Sequence, residues 1–180
     1  MLVKGKIKKD VYKKLIEYAS SKSDAVMFVS KKIGFTEKQK AILDKNMHVM
    51  KNNLKDFFLY SRNGCRWIFS ECLPYSNCDP IEFDKMFEIM FFIPQGKVLD
   101  YLFSNDNLYN WLNPNYPEDI SFFKDGYCWL NSITHEELCF IECESVEEYR
   151  FLKSIGIKFA DKKLCITPKE KMYFEDYFNN

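Results

Sequence analysis

The stretch PNYPEDISFFKDGYCWLNSITHEELCFIEC, residues 114–143, decides the fold. Asp125-Gly126 separates two of its apolar runs, and Asp-Gly in that position is typical of a tight β-hairpin because glycine adopts a positive φ without a steric penalty. A polar segment then separates the second run from a third. The apolar runs are residues 120–123, 127–130 and 138–141. The pattern predicts three adjacent antiparallel strands in the middle of a sheet, covered on both faces.

Helix-start patterns flank this stretch on both sides. Thr36-x-x-Gln39 and Ser145-x-x-Glu148 are capping boxes, in which the first side chain and the fourth residue satisfy each other's free backbone amides. Asp10 is the predicted cap of an N-terminal helix. Each pattern precedes apolar residues at helical spacing, so three amphipathic helices are expected.

The remaining segments predict further strands and helices. Asn63-Gly64 indicates a second hairpin, with Trp67 in its return strand. Asp79-Pro80 is a helix start, followed by apolar residues at helical spacing. The predicted helix carries Phe83, Met86, Phe87 and Met90. A buried strand is expected at 25–29, short helices near 98–103 and after Thr167, and a last hairpin near 157–166. The fold class is therefore α+β, a mainly antiparallel sheet of about 5–7 short strands with helices packed on it.

Composition predicts a folded domain. The chain has 180 residues, of which 47% are hydrophobic and 17% aromatic, which excludes intrinsic disorder. We expect a single domain over residues 1–180, with a Lys-rich helical part at about 1–55. No apolar run approaches the roughly 18 residues of a membrane span, and residues 1–10 lack the apolar segment of a secretory signal. The expected setting is cytoplasmic, where the 7 cysteines stay reduced.

Charge is unevenly distributed along a chain whose formal net charge is zero. Residues 1–55 carry 14 lysines and 5 acidic residues, and the remainder is correspondingly acidic. The basic N-terminal set consists of Lys4, Lys6, Lys8, Lys9, Lys13 and Lys14. Nucleic-acid binding through these lysines is one alternative, but no RNA-binding motif interleaves them, and a solvated helix face is the more usual reason for such a run.

His135, beside Glu136 and Glu137, is the residue most suggestive of catalysis. The chain contains no Walker A, GxGxxG, GxSxG or DxDxDG motif, and this favours a non-catalytic role. A thiol- or metal-dependent hydrolase remains an alternative, with His135 activating Cys128 or Cys139 across the hairpin. Cysteine and carboxylate spacings match no metal-binding module, so no metal and no cofactor are predicted.

Trp111 and Tyr116 lie in an Asn- and Pro-rich segment that has two interpretations. The rings could line a binding groove, or Trp111 could attach the segment to the core. The second interpretation is favoured, because tryptophan is usually largely buried.

The segment WLNPNYPEDISFFKDGYCWLNSITHE, followed by ESVEEYRFLKSIGIKF, resembles small uncharacterised proteins of Gram-positive bacteria, some of them similar to immunity proteins encoded near toxins. The resemblance covers residues 111–159. It implies a compact α+β domain in a cytoplasmic bacterial protein and assigns no catalytic residue.

The leading expectation is a non-catalytic protein that binds another protein, of immunity or accessory type. Charge separation and the absence of catalytic motifs motivate it. The expected contact surface consists of Glu136, Glu137, Glu142 and Glu144, with Trp111 and Tyr116 as aromatic anchors.

Overall fold

The protein is an antiparallel sheet with helices packed on it. The structure is a computed structural model that describes residues 1–64 and 86–160. The helices in these ranges are α1 (Lys9–Lys22), α2 (Glu37–Leu54), α3 (Lys97–Phe103) and α4 (Val146–Ser154). The strands are β1 (Ala25–Lys31), β2 (Phe58–Asn63), β3 (Phe87–Phe92), β4 (Glu118–Lys124), β5 (Tyr127–Ile133) and β6 (Leu138–Ile141). The predicted α+β class is confirmed.

The 6 strands form one sheet in the order β2-β3-β1-β4-β5-β6, with antiparallel neighbours throughout. The β4–β5 connection is the predicted Asp125-Gly126 hairpin. Asp125 has φ 50° and Gly126 φ 78°, and two positive φ values are what a type I′ turn requires. This turn sets the pairing of Lys124 with Tyr127 and of Phe123 with Cys128, and an irregularity between Phe122 and Phe123 then shifts the register of β4 and β5 by one residue.

One part of the sheet prediction is wrong, because β6 is not in the middle of the sheet. Among the described strands it is the last in the order, and its burial alternates between half-buried and buried residues. Its outer edge is covered by the start of the chain, where Leu2 pairs with Phe140 and the Val3 amide donates to the Cys139 carbonyl at 2.8 Å. An apolar run indicates a strand but does not specify whether that strand pairs with others on one side or on both.

The core occupies both faces of β1. Val26 and Phe28 belong to the large cluster that includes residues of α1, α2, α3 and α4. Met27 and Val29 belong to a smaller cluster, and side chains alternate between the two faces of a strand. β1 is therefore buried on both sides, as the apolar run at 25–29 predicts.

Helix starts follow the predictions in two of three cases. Thr36 and Gln39 form the complete capping box of α2. Ser145 caps α4 by accepting the Glu148 amide at 3.1 Å. Asp10 is not a cap, because α1 begins at Lys9 and Asp10 lies in its first turn. The start of α1 is set by tertiary contacts, including the Lys9 amide donating to the Asp106 carbonyl at 2.6 Å.

The predicted helix through Phe83, Met86, Phe87 and Met90 is wrong at its C-terminal end. Phe87 and Met90 lie in β3, which pairs with β1 on one side and β2 on the other. Five of its 6 residues are buried, and strand pairing on both sides outweighs the helical spacing.

The helix near 98–103 is confirmed as α3. Several predicted features fall outside the described residues. They are the return strand with Trp67, the start at Asp79-Pro80, the far strand of the last hairpin and the helix after Thr167.

Candidate functional site

Residues 134–137, here called the acidic turn, connect β5 to β6. Two reciprocal hydrogen bonds hold its base. The Asp119 amide donates to Thr134 Oγ1 at 3.0 Å, and the Thr134 amide donates to Asp119 Oδ1 at 2.8 Å. Thr134 is 1% exposed and Asp119 4% exposed. Because both partners are buried, these bonds attach the acidic turn firmly to the start of β4.

The acidic turn presents two carboxylates to solvent. The side chains of Glu136 and Glu137 are 47% and 52% exposed. Glu136 Oε1 lies 3.5 Å from His135 Nε2, and Glu137 Oε1 lies 2.9 Å from Lys6 Nζ. Glu137 has φ 52°, a left-handed conformation that few non-glycine residues adopt. The two predicted glutamates are therefore surface groups on an ordered support.

The exposed His135 lies close to the buried carboxylates of Glu118 and Asp119. One ligand atom from each of His135, Glu118 and Asp119 lies within 4.8 Å of the others. Imidazole and carboxylate groups in this arrangement can hold a divalent cation. The sequence shows these residues but not their contact. A hairpin centred on Asp125-Gly126 brings the start of β4 near the end of β5, and that proximity is the signal that could have indicated the cluster. The exact contact also depends on a register shift between Phe122 and Phe123, which the turn signal does not predict.

The thiols predicted as nucleophiles are placed unfavourably for that role. Cys128 and Cys139 belong to the two different core clusters, whereas the His135 side chain is 44% exposed. Burial raises the pKa of both thiols well above the ordinary range. A nucleophilic cysteine needs a lowered pKa in an accessible position. The Cys–His pair predicted from sequence is therefore not an active nucleophile in this structure.

Trp111 is a core residue. Its side chain is 0% exposed, and its Nε1 donates to Tyr12 Oη at 3.0 Å. Tyr116 is half-buried and packs edge-on against it, with 5.2 Å between ring centroids. The packing interpretation agrees with this arrangement. As a surface anchor Trp111 is wrong, because a fully buried indole has no area to offer a partner.

Glu142 and Glu144 lie apart from the acidic turn. They follow β6, whereas the turn precedes it, and a strand of 4 residues separates the two positions by roughly 14 Å. Glu142 is 55% exposed, and Glu144 is only 26% exposed. Glu144 Oε2 lies 2.8 Å from Lys22 Nζ. The four glutamates therefore do not form one continuous rim.

A buried charge network at Glu148 was missed by the sequence analysis. Glu148 Oε1 accepts hydrogen bonds from Trp129 Nε1 at 3.0 Å, from Tyr18 Oη at 3.1 Å, and from Lys22 Nζ. Its Oε2 accepts the Glu144 amide at 2.5 Å. The sequence identifies Glu148 as the capping-box partner of Ser145, but nothing local predicts its burial or its contact with Lys22.

The predicted basic residues divide between a cleft and a helix face. Lys4, Lys6, Lys8, Lys9 and Lys158 line a cleft of about 330 Å³, here called the lysine cleft. Lys13 and Lys14 lie on the exposed face of α1. Lys6 belongs to the cleft and also contacts Glu137, so the lysine cleft and the acidic turn are neighbours.

Comparisons with known proteins assign no family. The sequence matches no protein-family model, and no curated protein or solved structure matches it significantly. The resemblance across residues 111–159 therefore stays a prediction. No helix within residues 1–64 and 86–160 has both the length and the apolar composition of a membrane span.

Proposed function

We propose that this protein is a non-catalytic protein-binding domain of immunity or accessory type, and that it contacts its partner through the acidic turn. The observation that carries the proposal is that the acidic turn exposes two carboxylates while buried hydrogen bonds hold its backbone in place. Glu136 and Glu137 are about half exposed, while the Asp119–Thr134 bonds beneath them are buried.

Fixation matters because binding by a preordered turn costs less conformational entropy than binding by a mobile one. Exposed carboxylates at the edge of an interface mainly accelerate association with a basic partner. Glu142 is a separate acidic position beyond β6, and Glu144 is engaged with Lys22. The proposed surface is therefore smaller than the four-glutamate rim expected from sequence, and it excludes Trp111.

The bacterial origin and the immunity-type role rest on the resemblance of residues 111–159. The cytoplasmic setting is also part of the proposal, and it agrees with the free thiols of Cys128, Cys139 and Cys143. An immunity-type role adds one requirement. The captured partner must be a toxin that loses its activity in the complex.

The test compares two double charge reversals in affinity capture. One variant carries Glu136→Lys and Glu137→Lys in the acidic turn. The matched control carries Asp125→Lys and Glu147→Lys, at exposed acidic positions elsewhere. A partner retained by the wild type and by the control, but not by the acidic-turn variant, supports the proposal. Its association rate should also fall with added salt, because the steering is electrostatic. Equal capture by both variants would show that the acidic turn is not the contact surface.

A metal-dependent hydrolase is the second candidate function. The observation that favours it is the cluster of His135, Glu118 and Asp119, whose potential ligand atoms lie close together. Divalent-cation binding that is lost in His135→Ala but kept in His48→Ala would favour it over the binding role. Both histidines are exposed, so the two variants are matched in burial.

A further inference from the structure

The lysine cleft lies where the start of the chain meets the end of α4. Residues 3–9, Val11 and residues 156–158 line it. The Lys4 amide donates to the Lys158 carbonyl at 2.6 Å, which joins the two sides. Gly156 has φ 106°, and a Cβ there would lie 2.9 Å from Val11 Cγ2. A glycine is therefore needed for the end of α4 to approach α1 this closely.

The floor of the cleft is apolar and buried, and its wall is charged. Val3, Ile7 and Ile157 are 5%, 2% and 2% exposed. The described residues that line the cleft include 5 lysines and no carboxylate. Lys6 is shared with Glu137 outside the cleft. Lysine side chains that line one cleft repel one another, and a bound anion would relieve that repulsion.

The start of α1 increases this excess of positive charge. Lys8 occupies the N-cap position, where Ser, Thr, Asp and Asn are preferred, and no side chain of the described ranges caps the helix there. Lys9 begins the helix with φ 54°. Cations are disfavoured at the positive end of a helix dipole. Lys8 and Lys9 therefore lie where the helix dipole disfavours a cation, and Asp10 in the first turn offsets part of their charge.

We propose that the lysine cleft binds a small anion bearing two or more phosphate groups. Lysine ammonium groups are common phosphate ligands, and several of them suit an anion of multiple charge. A volume of about 330 Å³ lies at the lower end of small-molecule sites. The small volume of the cleft favours a compact oligophosphate over the backbone of a nucleic acid, which needs an extended track of contacts. This site is separate from the acidic turn and does not depend on the proposed protein partner.

The test is calorimetric titration of the full chain with tripolyphosphate at low ionic strength. The cleft variant carries Lys4→Gln, Lys8→Gln and Lys158→Gln. The matched control carries Lys38→Gln, Lys40→Gln and Lys45→Gln, which remove the same charge from exposed positions of α2. We expect one site in the wild type, at least about tenfold weaker binding in the cleft variant, and less than about twofold change in the control.

If tripolyphosphate binds equally weakly to the cleft variant and to the control, the binding is due to general charge attraction, and the proposal is wrong. The proposal is also wrong if the wild type binds tripolyphosphate no more tightly than it binds sulfate at equal ionic strength. Tighter binding of a single-stranded oligonucleotide, lost in the cleft variant, would assign the cleft to nucleic acid and make the oligophosphate wrong. Thermal melts verify folding. If the triple variant does not fold, Lys158→Gln alone, at an exposed position, takes its place with Lys40→Gln as its control.

Discussion

Among the lysine–glutamate pairs that connect the first 22 residues to the carboxylate-rich part of the chain, two differ most in their surroundings. In the pair Lys22–Glu148 the side chains are 11% and 5% exposed. In the pair Lys6–Glu137 they are 56% and 52% exposed, with 2.9 Å between Lys6 Nζ and Glu137 Oε1. The residue types are identical, so burial and the surrounding hydrogen bonds determine how much each pair contributes.

The buried pair belongs to a network that includes aromatic side chains. Lys22 Nζ lies 5.2 Å from the centroid of the Trp129 ring, and Trp129 also donates to Glu148. Removing Glu148 would leave the largely buried Lys22 paired with the less buried Glu144, and removing Lys22 would leave the buried Glu148 without that cation, which is costly in a protein interior. The exposed pair is screened by water and contributes little to stability. Water already solvates Glu137, so its carboxylate is available to a partner, whereas that of Glu148 is not.

The largest effect is expected for Glu148→Ala. The substitution removes the more buried of the two carboxylates that contact Lys22, and it leaves Trp129 Nε1 and Tyr18 Oη without their acceptor. We expect the free energy of unfolding to fall by about 3–5 kcal/mol, measured by urea denaturation. Glu147→Ala is the control, because Glu147 is the exposed neighbour, and it should change stability by less than about 0.5 kcal/mol. A loss of the same size in both variants would contradict the distinction between the two kinds of glutamate.

A smaller effect is expected at alkaline pH, through Tyr18. Burial, and then the negative charge of Glu148, raises the pKa of Tyr18 from 10.0 to about 12. The folded protein therefore holds this proton more tightly than the unfolded chain does. The stability contributed by Tyr18 is complete below the unfolded pKa and is lost as pH rises through the folded pKa.

The comparison of wild type with Tyr18→Phe isolates this contribution. Phenylalanine cannot ionise, so the variant should lose less stability between about pH 10 and about pH 12, measured by urea denaturation at each pH. Burial also raises the pKa of Tyr12, Tyr101 and Tyr109, but these residues are the same in both proteins. Parallel pH profiles for the two proteins would show that Tyr18 is not part of the buried network in solution.

Features encoded locally could be predicted from the sequence. Asp125-Gly126 predicts its hairpin because the turn depends on the φ values of two consecutive residues. Thr36 predicts its helix start because its partner Gln39 is three residues away. Glu136 and Glu137 were placed correctly at the surface, since they lie in a polar segment between two strands.

Features that depend on distant residues could not be predicted. Phe87 and Met90 fit a helical spacing, and only pairing with β1 and β2 makes them part of a strand. The capping box distinguishes Glu148 from Glu147 but does not predict its buried network, because Lys22, which pairs with Glu148, is 126 residues away. The cluster of Glu118, Asp119 and His135 lies beyond the register shift between Phe122 and Phe123, which the Asp-Gly turn signal does not predict. In this chain, local turns can be predicted from the sequence, whereas charge pairs between distant residues cannot.

The smallest effect is expected for Lys6→Gln, which removes the exposed pair. Both side chains are more than half exposed, so we expect the free energy of unfolding to fall by about 0.2–0.5 kcal/mol in urea denaturation. Because the interaction is screened, the difference should shrink further in about 1 M salt. Lys13→Gln, an exposed lysine of α1, is the matched control for the loss of one positive charge. A cost above about 2 kcal/mol, specific to Lys6, would mean that Glu137 is held as a structural group like Glu148. Glu137 would then be a poor choice for the contact surface, and the acidic turn would keep only Glu136 for a partner.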